Sequence, residues 1–266
     1  YTTLFRSALA FALCSCSDND ETGGDFTPTI FNVMGKVEKG PMIRGSHVDM
    51  RTLDEYMTPT GSFYSATIDN NLGDFNYGTL KINSPYAQLT ADGYFFNEVD
   101  GELSEGTIKL DAIVDLKDNS TINVNVLTHL KSKRIHHLVT TQGMTFKEAN
   151  AQAQKELLTQ FGLQQYASKD ASQFSLTSGD DASGALIAIS SLVLTDRSDA
   201  EIVEYLSILS NEFGTEGAFS QETKKKIQSG KNYLNTRLDR ISENIKSRYK
   251  ELGLEVKVKD LAYYFD

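Results

Sequence analysis

The sequence predicts an α+β protein in which an antiparallel β-sandwich precedes an α-helical bundle. Short runs of β-branched and aromatic residues, separated by Gly, Asn and Asp clusters, recur between residues 31 and 126. After Leu127 the spacing of apolar residues becomes that of amphipathic helices. The chain has 266 residues, 39% of them hydrophobic and 23% charged, which is enough to form a large core without disulfides or metals. We therefore predict a β-sandwich domain at residues 30–126 and a helical domain at residues 127–266.

The predicted strands are short and are separated by turn-forming residues. In residues 107–116, for example, apolar side chains occupy alternate positions, as in a strand with one buried face. Asp-Gly pairs at residues 92–93 and 100–101 favour tight turns. The predicted strands are residues 31–37, 46–52, 62–68, 74–77, 86–90, 94–99, 107–116 and 121–126.

The helical half is divided by capping residues and glycines. The first predicted helix ends at Gly143, and Thr145 with Glu148 forms a capping box at the start of the second. Residues 182–194 are almost wholly apolar, which predicts a buried central helix. Ser198 begins the next helix, which we expect to end before Gly214.

The last part of the chain is basic. Residues 220–252 predict a long amphipathic helix ending at Gly253, with Gly230 as the point where it would break if it is interrupted. Residues 255–265 predict either a final strand or an aromatic tail that docks on the rest of the protein.

Charge and cysteine content exclude some functions. The formal net charge of −10 argues against a nucleic-acid partner, whose phosphates require a basic face. The 2 cysteines, Cys14 and Cys16, are both close to the start of the sequence, so a disulfide scaffold or a thiolate metal cluster is excluded.

The first 21 residues contain the features of an export signal. Residues 4–13 are an apolar run too short to span a bilayer. The segment Leu13-Cys14-Ser15-Cys16 resembles the lipobox of bacterial lipoproteins, and this resemblance implies acylation of Cys16. The Ser and acidic cluster at residues 17–21 resembles the surface-export signal of Bacteroidota lipoproteins. Residues 1–29 are then a signal remnant and tether, and the protein is expected at the cell surface, anchored to the outer membrane through lipid.

Turn and core residues of the β-rich half resemble those of carboxypeptidase-regulatory-like, or transthyretin-like, domains. The resemblance covers about 90 residues and implies a small sandwich of the transthyretin or immunoglobulin-like type. It carries no catalytic residues, because only turns and core positions match. The matching segments are Gly35-Lys36-Val37, Gly40-Pro41, Gly45-Ser46-His47-Val48, Thr67-Ile68-Asp69, Gly73-Asp74-Phe75 and residues 86–94.

No set of residues has the spacing of a metal site. His129 and His136 are seven residues apart, about 10–11 Å along a helix, whereas helical ligand pairs are three or four residues apart. Two acidic sets lack the twelve-residue loop of a calcium site and are better explained by their place in turns; they are Asp69, Asn70, Asn71 and Asp74, and Asp100, Glu102 and Glu105. We therefore predict neither a metal nor a cofactor.

Catalytic motifs are also absent from the sequence. There is no Gly-x-Ser-x-Gly, His-Glu-x-x-His, phosphate-binding loop or dinucleotide-binding pattern. Glu98 and Asp100, beside three aromatic residues, are the most suggestive pair of carboxylates for glycoside hydrolysis. With 36 acidic residues, however, such pairs are expected by number alone. We predict that the protein is not an enzyme.

These observations favour a lipid-anchored binding or structural component of an outer-membrane assembly, with glycan capture as one version. Its expected partners are membrane lipid, through Cys16, and a glycan or surface protein. Tyr64, Tyr77 and Tyr94 are the predicted ligand contacts, since tyrosines stack on sugar rings. The alternative is a hydrolase, or an accessory protein of one, with an unrecognised carboxylate pair in a deep cleft.

Overall fold

The computed structural model of the protein describes residues 28–117 and 121–265, in which nine strands precede six α-helices. The chain is therefore a mixed α+β protein, as its sequence predicts. Cys16, the lipobox and the acidic cluster after it lie outside the described residues. The strands are β1 (Thr29–Glu38), β2 (His47–Leu53), β3 (Pro59–Thr67), β4 (Asp74–Ile82), β5 (Tyr86–Gly93), β6 (Phe96–Asn97), β7 (Glu102–Leu103), β8 (Ile108–Asp115) and β9 (Ile122–Asn125).

The longer strands form two sheets. One has three strands in the order β4-β1-β9, in which β1 and β4 are antiparallel but β1 and β9 are parallel. The other has four antiparallel strands in the order β3-β2-β5-β8. β6 and β7 form a separate two-stranded ribbon.

Alternation along the strands divides the four-stranded sheet into an apolar and a polar face. In β5, Ala87, Leu89 and Ala91 are buried, and the residues between them are only half buried. This is the period of two that a pleated strand imposes on its side chains. The apolar face of this sheet, the three-stranded sheet and most of the helices contribute to one continuous core.

The helices are α1 (Val126–Gln142), α2 (Phe146–Phe161), α3 (Asp181–Leu194), α4 (Asp199–Glu216), α5 (Gln221–Leu234) and α6 (Leu238–Glu251). Five of the six helices in the described part of the chain begin at a residue whose side chain caps the helix, and α6 does not. The capping boxes at Thr145 and Ser198 are both formed. Asn125 makes a third with Thr128 and so begins α1 directly after β9.

A second, smaller core joins α1 and α2 to the other face of the four-stranded sheet. Ile113 of β8 and Leu53 of β2 pack there with Ile135, Leu138 and Phe146 of the two helices. The helices cover this face mainly over β8 and at the end of the sheet where β2 finishes. The rest of the face keeps its polar side chains and carries the site described below.

Several helix and strand boundaries differ from the sequence prediction, and three of the differences concern the packing or pairing of the chain. α4 continues past Gly214 to Glu216, because Gly214 lies against Lys133 of α1 and permits close packing there. The predicted long helix is divided at residues 235–237 and not at Gly230, which lies within α5. Of the predicted strand at residues 94–99, only Phe96–Asn97 is extended, paired with a strand that the pattern did not reveal.

The last residues form the docked tail, the second of the two predicted possibilities. Leu261–Tyr264 is a short 3-10 helix, and Leu261, Tyr264 and Phe265 are buried. The Tyr264 hydroxyl donates a hydrogen bond to Asp181 at the start of α3. Among the described residues, no helix is long and apolar enough to cross a membrane.

Candidate functional site

A line of polar side chains crosses the uncovered face of the four-stranded sheet. Strand register places Ser65 of β3 opposite Asp49 of β2, Asp49 opposite Thr90 of β5, and Thr90 opposite Asp111 of β8. His129 of α1 continues the line beyond the last strand. We call these five residues the polar row. Each strand contributes one member because neighbouring residues of a sheet point to the same side.

Hydrogen bonds hold the members of the row in place. The Ser65 hydroxyl donates to an Asp49 carboxylate oxygen at 2.7 Å, and the Thr90 hydroxyl donates to Asp111 at 2.7 Å. Gln88, the preceding outward residue of β5, also donates to the Asp111 carboxylate. The row therefore presents fixed carboxylates with unused lone pairs.

The environment of Asp111 keeps it ionised. Partial burial alone would raise the pKa of the Asp111 carboxyl. The neighbouring His129 imidazole and the hydrogen bond from Thr90 outweigh this effect and hold the pKa below its usual range. Asp111 is thus an acceptor of hydrogen bonds at neutral pH.

Two contacts with Asp111 hold the Nδ1 side of the His129 ring. The backbone N–H of Asp111 donates to His129 Nδ1 at 3.2 Å, and an Asp111 carboxylate oxygen lies 3.4 Å from the same nitrogen. Nε2 takes no part in these contacts, so it is the ring nitrogen that can form a hydrogen bond with a ligand.

A cavity of about 350 Å³ adjoins the row, between β5 and β8 of the sheet and helices α1 and α4. This volume is near the lower limit of small-molecule sites, which is roughly 300 Å³. Its apolar wall consists of Ile108, Val203 and Leu206. The polar lining residues are Asp92, Thr107, Lys109, Asp111, His129, Lys133, Ser207 and Ser210.

Ser210 is the most unusual of these lining residues. Its side chain is 1% exposed, and its hydroxyl has no hydrogen-bond partner among the described residues. A buried hydroxyl without a partner costs about 1–3 kcal/mol. Ser207, one turn earlier on the same side of α4, also lines the cavity but is exposed.

The charges around the cavity balance. Lys109 lies 3.4 Å from Asp92, and Lys133 donates a 2.6 Å hydrogen bond to Asn211. These two lysines face two carboxylates, Asp92 and Asp111. A site with equal numbers of cations and anions favours a neutral ligand that both donates and accepts hydrogen bonds.

Phe63 is an exposed aromatic residue on the same sheet face. It is opposite Arg51 of β2, whose guanidinium is 6.0 Å from the ring centroid, and its side chain is 54% exposed. Its neighbour Tyr64, and not Phe63, is among the ligand contacts predicted from the sequence. Along β3, Phe63 and Ser65 point outward and Tyr64 between them points inward. This alternation is the sequence signal that could have identified Phe63 as the exposed aromatic residue.

The predicted tyrosines are not gathered into one exposed surface. The Tyr77 hydroxyl donates to the Val48 carbonyl at 2.6 Å, its ring packs edge-on against Phe75, and burial raises its pKa. Tyr64 is half buried and packs against the main core. Tyr94 is 45% exposed just after β5.

Glu98 and Asp100 do not share a cleft. Glu98 is fully buried and lies 3.3 Å from the equally buried Lys39 ammonium, which also faces the Phe95 ring. Asp100 is exposed and accepts a hydrogen bond from Asn97. This pair therefore lacks the arrangement that glycoside hydrolysis requires.

His129 and Asp74, two of the residues considered for metal binding, have other partners. His136 is exposed, whereas His129 is held against Asp111. Asp74 accepts hydrogen bonds from Lys36 and Asn70, which occupy both carboxylate oxygens. In the described part of the chain, no group of three or more His, Cys, Asp or Glu residues is arranged to hold a metal ion.

Comparison with known proteins finds no family model, no curated protein and no solved structure that matches this chain. The function is therefore inferred from the cavity and the polar row themselves.

Proposed function

We propose that the protein is a lipid-anchored binding protein of the outer cell surface that captures neutral polyhydroxylated ligands, and glycans above all. The cavity between the sheet and helices α1 and α4 carries this proposal. It combines charge-balanced hydrogen-bonding groups, an apolar wall and a buried hydroxyl without a partner. Binding without catalysis is the leading proposal.

The chemistry of a sugar matches these features. Each sugar hydroxyl both donates and accepts, so it can bridge a carboxylate such as Asp111 and a donor such as His129. The C–H face of a sugar ring is apolar and can lie against Ile108, Val203 and Leu206. A nucleotide or other anionic ligand would gain little from Lys109 and Lys133, because Asp92 and Asp111 in the same lining offset their charges.

The position of the protein in the cell is part of the same proposal. Acylation of Cys16 would anchor the chain, and the polar residues up to Thr29 would act as a tether to the folded part. The two larger sheets with one shared core are consistent with a transthyretin-like sandwich at residues 30–126, to which the helical domain at 127–266 is joined.

Affinity electrophoresis through gels that contain single polysaccharides tests the binding proposal. We expect at least one neutral polysaccharide to retard the protein, and polygalacturonate, an anionic one, to have no effect. Ser207→Trp would fill the cavity and weaken retardation at least about tenfold, as loss of a central contact does. Ser207 is exposed, so this variant should fold normally.

Ser247→Trp is the matched control, since Ser247 is an exposed helical serine far along the chain on α6. Its retardation should equal that of the unmodified protein. Equal retardation of the two tryptophan variants, or no retardation in any gel, would contradict the proposal.

Incorporation of a labelled fatty acid in cells of the native host tests the anchor. The protein should carry the label, Cys16→Ala should lose it, and Cys14→Ala should keep it. A Cys16→Ala variant that still carries the label would reject the anchor at Cys16.

The same sheet face offers a second candidate, a glycoside hydrolase. Asp49 and Asp111 are two strands apart, which places their Cα atoms roughly 10 Å from each other. Inverting glycosidases separate their carboxyl groups by about 6.5–9.5 Å. The lowered pKa of the Asp111 carboxyl would suit a general base. Release of new reducing ends from a bound polysaccharide would favour this candidate over simple binding. The Asp111→Asn variant should then lose that release.

A further inference from the structure

We propose that the cavity and the polar row beside it form one extended binding surface, called the groove below, for a linear glycan chain, with one chain end in the cavity and the following sugars along the polar row to Phe63. This inference rests on the proposed function and specifies its ligand. It implies that affinity depends on the length of the glycan chain.

The dimensions of the sheet define the groove. From β8 to β3 there are three strand spacings of about 4.8 Å, so the row is roughly 14 Å long. It crosses the strands at right angles, with one outward side chain from each strand. This length exceeds that of a single sugar ring, and the groove therefore has room for a short chain.

The two ends of the groove differ. At the β8 end, His129 and Lys133 of α1 and Ser207 and Ser210 of α4 form walls around the cavity. At the other end, β3 is the edge strand of its sheet, and its outward residues Phe63, Ser65 and Thr67 are exposed. A chain can enter from β3, but the helices bound it beyond β8.

The chemistry of the groove is the same along its length. Arg51 and Asp49 of β2 bring one cation and one anion, so the balance found in the cavity continues across the sheet. Exposed His47 of β2 lies beside Asp92 of the cavity lining and adds a further hydrogen-bonding group. Phe63 provides an aromatic surface on which a sugar ring can stack, and Arg51 borders it on one side.

A series of chain lengths tests the inference. The probes are size-fractionated oligosaccharides from a partial acid hydrolysate of the polysaccharide that retards the protein, measured by isothermal titration calorimetry. We expect affinity to rise over the first few sugars and then to level off. Phe63→Ala should lower the affinity for the longer fragments about tenfold and leave that for the shortest fragment unchanged.

Two variants make the outcomes distinguishable. Tyr263→Ala, which removes an aromatic ring that is 74% exposed on the C-terminal tail, should bind all fragments like the unmodified protein. Ser207→Trp should lose both short and long fragments. If affinity is independent of length and of Phe63 while Ser207→Trp still abolishes binding, the groove is wrong and the cavity proposal stands. If Phe63→Ala weakens binding and Ser207→Trp does not, the cavity is not the binding site and both proposals fail.

Discussion

Glu38, at the end of β1, carries a carboxyl group that is completely shielded from solvent. It accepts hydrogen bonds from the Ser175 hydroxyl at 3.0 Å and from the Leu176 backbone N–H at 3.3 Å, both in the helical half. Burial is the largest influence on its pKa and raises it to about 7, against the attraction of Lys36. The ionisation of this residue therefore opposes folding near neutral pH.

The contribution of Glu38 to the stability of the protein should consequently fall as pH rises. The folded-state pKa of Glu38 lies above its unfolded value of 4.5, so the folded state binds more protons between these values. Its contribution is fully present below about pH 4.5 and is lost by about pH 7. Glu38→Gln should therefore stabilise the protein more at pH 8 than at pH 5. The change that the substitution causes in the free energy of unfolding should be more favourable at pH 8 by up to about 3 kcal/mol.

Urea unfolding at the two pH values measures this difference. Gln keeps an acceptor for the Leu176 N–H and can donate to the Ser175 hydroxyl, so the substitution preserves the local contacts. Glu55→Gln, at an exposed position, is the control and should alter neither value. A Glu38→Gln effect of equal size at both pH values would mean that the carboxyl does not titrate in this range.

At the scale of elements, the contact between α1 and α4 determines the shape of the cavity. Gly214 of α4 lies so close to α1 that an added Cβ would be 2.8 Å from the Lys133 Cβ. The same two helices supply Lys133, His129 and Ser210 to the cavity lining. Gly214 thus allows the helices to approach each other near the ligand site.

Gly214→Ala should destabilise the protein, contrary to the usual effect of alanine in a helix. Alanine is normally favoured over glycine by about 0.5–1 kcal/mol in a helix interior. Here the Lys133 Cβ cannot move without its helix, so we expect a net loss of about 1–3 kcal/mol in urea unfolding. Gly230→Ala in α5 is the comparison, because its Cβ would meet only the end of the Leu192 side chain at 3.2 Å, and it should cost less. Greater stability of Gly214→Ala would show that the helices are not in close contact.

At the scale of the whole molecule, the strands and helices share one core. Buried apolar side chains of both large sheets and of the helices belong to a continuous cluster. Two buried amides strengthen the junction, since Asn123 and Asn125 of β9 donate to the carbonyls of Phe174 and Ala171. Neither half can separate from the other without exposing apolar surface and breaking these hydrogen bonds.

We therefore expect the two halves to unfold together. Urea unfolding followed by far-ultraviolet circular dichroism, which reports mainly on helices, should coincide with unfolding followed by near-ultraviolet signals of the aromatic side chains. Both curves should have one midpoint. Two separated transitions would show that the halves are independent units despite their common core.

The local sequence predicted most elements because their signals are local. Strand alternation and capping boxes involve residues only two to four positions apart, and the boxes at Thr145 and Ser198 form as expected. The errors occurred where a distant contact decides the outcome. Gly214 was interpreted as a helix stop, but its neighbour Lys133 is 81 positions earlier in the chain, and this contact keeps the residue inside α4.

The candidate site was much less predictable from sequence than the fold. Asp111, His129 and Ser210 come from a strand and two helices, and no motif in the sequence connects them. By itself, the sequence determined the succession of strands and helices and the acidic character of the chain, since these depend on composition and short-range periodicity. Only the tertiary structure decided which polar strand face remains uncovered and where a cavity forms, because both depend on how α1 and α4 pack against β8.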